Sequence, residues 1–165
     1  MLRERFRAEQ IFALAGDRVP LPDGTLDIVT ALDVLEHTPD DAAVVREFRR
    51  LLKPGGVVAV TVPASMALWS DWDIALHHHR RYTRTQLRAL FPAADWDLDY
   101  VNYTNVPVYP LVWLIRRWRV LPGGSDDRPL PRWLNALLRA QFVGLALARI
   151  PMPCGVSLVL LARRR

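Results

Sequence analysis

Three observations predict an α/β fold. A near-continuous apolar run, Leu26 to Leu32, is followed by a helical pattern and then by the β-branched run "VVAVTV", with short turns between them. Strand, helix and strand in that order make a crossover unit with two parallel strands. The first run is interrupted only by Asp27 and Thr30, a composition suited to a strand covered on both faces. Asp33, Glu36 and His37 crowd in directly behind it, and open α/β sheets bind ligands beyond the carboxyl ends of their strands.

The elements follow in order. Met1 to about Gln10 reads as the end of a helix, Ile11 to Ala15 as a short strand, and "GDRVPLPDGT" as a loop punctuated by Pro and Gly. In "TPDD", Thr38 is the expected cap, Pro39 the first helical residue, and Asp41 the acid three positions after the cap. Val44, Val45, Phe48, Leu51 and Leu52 then share one helical face, and "KPGG" is expected to stop the helix. After "VVAVTV" a long loop, Ala64 to Tyr82, carries Trp69, Trp72 and three histidines. "TRTQLRALF" is a short helix capped by Thr83, and Trp96 to Tyr103 is a strand. Two helices, Pro107 to about Val120 and Pro131 to about Arg149, form a helical insertion over residues 104–153, split by "PGGSDDRPLP". Val156 to Ala162 closes a single domain spanning 1–165 as the last strand.

The composition is globular: 51% hydrophobic and 24% charged in 165 residues. The single cysteine, Cys154, excludes an internal disulfide and fits a reducing compartment. "MLRERFRAEQ" is charged where a secretory segment would be apolar, so the expected location is cytoplasmic. The net charge is +5, and beyond Asp99 the only acids are Asp126 and Asp127. A basic C-terminal third suits either plain solubility or a membrane-peripheral contact through lipid phosphates. Its arginines are not interleaved with a nucleic-acid recognition motif, and no nucleic-acid partner is expected.

Asp33, Glu36 and His37 have two readings on residue type alone. They serve a ligand at the strand end, or the two acids favour a helix N-terminus while the histidine packs beside them. "HHHRRY" at 77–82 divides similarly. Three consecutive histidines do not easily converge on one ion, so no metal ligand is assigned. Arg80, Arg81 and Tyr82 are instead expected to line a cleft and bind an anionic or phenolic group.

The ordered set "GD", "LPDGTLDIV", "LDVLEH" and "LLKPGG" resembles the second half of class I S-adenosylmethionine-dependent methyltransferases. "WSDWDIALHHHRRYTRTQLRALF" is similar to a subgroup of them. The resemblance implies a partial Rossmann-like sheet, strands 3 to 7 of the order 3-2-1-4-5-7-6, with helices on both faces. It implies S-adenosylmethionine as cofactor, with Asp17 at the adenine amino group, Arg18 beside the ring, and Leu32 packing on the cofactor. His37 is then the expected base for an oxygen acceptor, with Glu36 and Asp33 orienting it or the substrate. Quinone O-methyltransferases of similar sequence carry E-x-x-E-H here, implicated in magnesium binding, and the D-x-x-E-H of this chain leaves magnesium as an option.

The family's first strand and glycine-rich turn have no counterpart, and no G-x-G occurs in the chain. The expectation is therefore an N-terminally truncated domain that binds S-adenosylmethionine weakly and exposes Leu26 to Leu32 as an edge open to homo-oligomerisation. Two functions compete: a methyltransferase for a small or lipid-like acceptor, and a non-catalytic remnant serving as a membrane-surface or partner-binding module.

Overall fold

The computed structural model describes residues 18–118 and 131–165. Strand β1 (Leu26–Leu32) leads through a 3-10 turn (Leu35–His37) to helix α1 (Asp41–Leu51) and strand β2 (Leu52–Pro63). A second 3-10 turn (Met66–Leu68) and the short helices α2 (Asp71–Ala75) and α3 (Arg84–Ala89) follow. Strand β3 (Trp96–Thr104), helices α4 (Tyr109–Trp118) and α5 (Arg132–Ala148), and strand β4 (Ser157–Arg164) complete the described chain. The sheet order is β1-β2-β4-β3, with β1 parallel to β2 and β4 antiparallel to both its neighbours. This is the 4-5-7-6 part of the order that the resemblance implies.

Side-chain alternation places the core. Val58, Val60 and Val62 of β2 lie opposite Ala162, Leu160 and Leu158 of β4, and all six are fully buried. Leu87, Phe91 and Trp96 pack into the same cluster. Each fully buried side chain of this size contributes about 1.5–3 kcal/mol, so the β2–β4 pair is the stable floor of the molecule. β1 is different. Among the described residues it pairs only with β2, and Ile28 and Leu32 are 64% and 62% exposed. Among the described residues, a composition suited to an interior strand therefore stands at an edge. The strand proposed at Ile11–Ala15 lies outside the described residues.

Two terminus expectations are corrected. The cap of α1 is Asp40, whose carboxylate accepts from Ala43 N–H at 2.8 Å. The Thr38 hydroxyl donates instead to Leu35 O at 2.8 Å, because the Leu35–His37 turn supplies a closer carbonyl. "KPGG" does not stop the helix either; α1 ends at Leu51 and Leu52 is already extended. The register jumps from Leu26↔Leu52 to Ile28↔Val57, so Lys53–Gly56 bulges out of the ladder. Gly55 takes φ +80°, and a Cβ on Gly56 would sit 2.9 Å from Lys53 O. Thr83 caps α3 as expected, accepting from Gln86 N–H.

Candidate functional site

Residues at the carboxyl ends of β1 and β2 form the site. Asp33 adopts φ +53°, a left-handed conformation that turns the chain sharply off the sheet. The turn is held because Asp33 N–H donates to Thr61 O at 3.0 Å while the Thr61 hydroxyl donates to Asp33 Oδ1 at 3.2 Å. The following 3-10 turn buries Leu35 and Glu36 and leaves His37 exposed. His79 N–H donates to Glu36 O at 2.7 Å, which ties the histidine-rich segment to this turn.

Glu36 is fully buried, and neither carboxylate oxygen has a hydrogen-bond partner. Burial first, and then the negative charge of Asp33, push its carboxyl up to about 7 against the opposing effects of its own backbone hydrogen bond and Arg81. The His37 and His78 rings meet edge to face, 4.7 Å between centroids. His78 Nδ1 lies 2.9 Å from Asp73 Oδ1, so the N–H on Nδ1 donates to the carboxylate.

Asp73 is the anchor of the other wall. It is fully buried and accepts from Ser70 N–H at 2.9 Å, Arg81 Nε at 2.7 Å and Arg116 Nη1 at 3.3 Å in addition to His78. Burial works to raise its carboxyl, but the hydrogen bonds from His78 and Arg81 outweigh it and hold the group below the ordinary carboxylate value. Arg116 also donates to Leu68 O, which brings α4 to the site. These groups enclose a pocket of about 300 Å³ bordered by Asp33, Glu36, His37, His78, Arg81 and Arg116, with apolar walls from Trp72, Leu76 and Val156.

The structure therefore gathers Asp33, Glu36, His37 and Arg81 in one pocket. It does not bring Arg80 and Tyr82 there. Arg80 pairs with Asp41 at 2.9 Å and donates to Pro39 O, and the buried Tyr82 hydroxyl donates to Asp41 Oδ2 at 2.8 Å. Burial and the Asp41 hydrogen bond push that phenol well above its ordinary value. Both side chains fasten the loop to α1. Leu32 presents an open apolar surface at the end of β1, and Arg18 is exposed in a 3.5 Å ion pair with Asp23. Asp17 lies outside the described residues. Sequence reasoning missed Asp73 and Arg116 and did not single out His78. Ser70-x-x-Asp73 has capping-box spacing, which signals a helix start rather than a buried anchor.

Glu36, His37 and His78 place potential ligand atoms within 4.8 Å of one another. One carboxylate and two imidazoles suit a borderline ion such as zinc better than magnesium, which prefers oxygen ligands. Asp33 stands outside this trio, so the described residues do not assemble the oxygen-rich set that magnesium would need.

A family model described as a methyltransferase domain matches residues 3–101, more than half of the chain. A protein of Mycolicibacterium smegmatis named "Probable S-adenosylmethionine-dependent methyltransferase" is 34% identical over 83 residues, 49% of this chain and 32% of that protein. The ubiquinone biosynthesis O-methyltransferase of Xanthomonas oryzae pv. oryzae is 37% identical over 110 residues, 59% of this chain and 44% of that enzyme. The chain thus spans less than half the length of these curated relatives. Among solved structures, the [4+2]-cyclase SpnF superposes with a TM-score of 0.55 over 98% of this chain and 59% of that one, at 22% identity, a likeness of fold.

Proposed function

Because the chain belongs to the methyltransferase-domain family, we propose that it forms the acceptor side of an S-adenosylmethionine-dependent methyltransferase acting on a hydroxyl of a small or lipid-like molecule. The observation that carries this reading is the pocket in which buried Glu36 stands beside His37 and His78 at the carboxyl edge of the sheet. When bound, S-adenosylmethionine supplies a methyl group already activated as a sulfonium. The remaining tasks are positioning the acceptor and removing one proton.

In this proposal Leu32 offers the cofactor an apolar surface at the end of β1, with Asp17 and Arg18 at the adenine. His37 accepts the proton from the acceptor hydroxyl as the oxygen–methyl bond forms. Glu36, with its carboxyl near 7, can take or hold that proton at working pH. Asp73 fixes the tautomer and orientation of His78, which bounds the opposite side of the acceptor. A volume of about 300 Å³ falls at the small end of ligand pockets, and the Trp72, Leu76 and Val156 walls suit an aromatic or isoprenoid body. The relative named for ubiquinone biosynthesis O-methylation supports an oxygen acceptor.

The test is methyl transfer from radiolabelled S-adenosylmethionine, at millimolar concentration to offset the weak cofactor binding expected of this chain, to a panel of phenols and hydroquinones. Relative to the unsubstituted chain, His37→Ala should lower kcat by about a hundredfold and leave cofactor affinity unchanged. Undiminished turnover in His37→Ala, or no transfer to any hydroxyl acceptor, contradicts the proposal.

A further inference from the structure

Helix α4 spans Tyr109–Trp118 and buries none of its residues. Leu111, Leu114 and Trp118 succeed one another at helical spacing and are all exposed, Trp118 by 70%. Arg117 is exposed three residues beyond Leu114, on the same side. Arg116 is turned the other way, to Asp73 and Leu68 O in the pocket wall. The helix therefore shows apolar groups and one arginine to the outside, and a different arginine to the site.

The surroundings repeat the pattern. α4 packs against the Met66–Leu68 turn, and Met66, Ile74 and Leu76 nearby are exposed as well. Separately, α5, which packs against β3, exposes Trp133 and Leu137 together with Arg132 and Arg139. Among the described residues, no helix is long and apolar enough to cross a membrane. Exposed Leu111, Leu114 and Trp118 beside Arg117, with Asp71 the exposed acid on the neighbouring 66–76 segment, have the chemistry of an interfacial helix. The apolar side chains enter the acyl boundary, tryptophans sit at headgroup depth, and arginines meet phosphates.

We propose that the outward face of α4, with Arg117, docks on an anionic phospholipid bilayer. Charge selects this occupant. A symmetric second copy of the chain, itself of net charge +5, would set Arg117 against Arg117, whereas lipid phosphates neutralise it. Arg116 would then hold the docked helix against the pocket, so that an acceptor dissolved in the bilayer meets the site beside the Leu76 rim. The docking itself rests on the surface of α4 and not on the catalytic reading, so either can fail without the other.

Co-sedimentation of the whole chain with vesicles tests it, without cofactor or acceptor. Binding to phosphatidylglycerol-containing vesicles is expected at low salt, with loss in high salt and at least about tenfold weaker binding to pure phosphatidylcholine vesicles. The double substitution Leu114→Ser with Trp118→Ser should weaken binding at least about tenfold, with an unchanged circular dichroism spectrum. Three results overturn the proposal: protein left in the supernatant with anionic vesicles at low salt, wild-type binding by the double variant, or an oligomer that this variant converts to monomer.

Discussion

Asp73→Ala is expected to destabilise the protein by about 3–5 kcal/mol, the range for breaking a buried ion pair from one side. Arg81 is itself buried, and its Nε gives its hydrogen bond to Asp73, while Nη1 reaches Ala64 O at 3.1 Å. Removing the carboxylate leaves that guanidinium without its counter-charge in the interior. It also frees His78 Nδ1, Ser70 N–H and Arg116 from a shared acceptor. For a domain of marginal stability this loss is a large share of the total. The folded carboxyl is held below its unfolded value, so its contribution is present above about pH 4 and is lost as pH falls through the folded pKa. Urea denaturation near neutral pH measures the loss. A change under 1 kcal/mol would mean that water replaces the carboxylate and that the cluster is not a sealed unit.

The second large effect has the opposite sign. Glu36→Gln should stabilise the protein at alkaline pH and do little at acid pH. The Glu36 carboxyl rises from 4.5 to about 7 on folding. Its folded form therefore holds the proton more tightly than the unfolded chain does. The stability tied to that proton is fully present below about pH 4.5 and is lost as pH rises through about 7. The interval corresponds to at most about 3 kcal/mol. Glutamine fills similar volume and carries no charge, so this decline should vanish. Paired denaturation curves at acid and alkaline pH check it. A variant less stable than wild type at pH 8 would show that the ionised carboxylate has a stabilising partner.

How far the sequence reaches differs between fold and site. β1 spans Leu26–Leu32 as the sequence predicts, because an unbroken apolar run followed by acids is unambiguous locally. Thr83 as cap and Trp96 as a strand start are likewise local signals. The Asp40 cap was not legible, since Thr38 is equally able to cap and the choice is made by the preceding 3-10 turn. The segment expected as a loop at Ala64 to Tyr82 contains the Met66–Leu68 turn and α2, elements too short to show a period. In the site, D-x-x-E-H marked Asp33, Glu36 and His37 directly. Choosing His78 among three histidines needed Asp73, and Arg116 arrives from a helix 43 positions beyond that aspartate. Arg80 and Tyr82 looked like ligand groups because nothing local reveals that Asp41 takes both.

The most direct test of the account is chemical-shift mapping of the isotopically labelled chain titrated with S-adenosylmethionine to millimolar concentration, which registers weak as well as tight binding. Shifts are expected to concentrate at Asp17, Arg18, Leu32 and Asp33, ahead of the acceptor residues Glu36 and His37, with α5 and the Lys53–Gly56 bulge unaffected. No shift at the highest concentration, or shifts confined to surfaces away from the carboxyl end of β1, would contradict it.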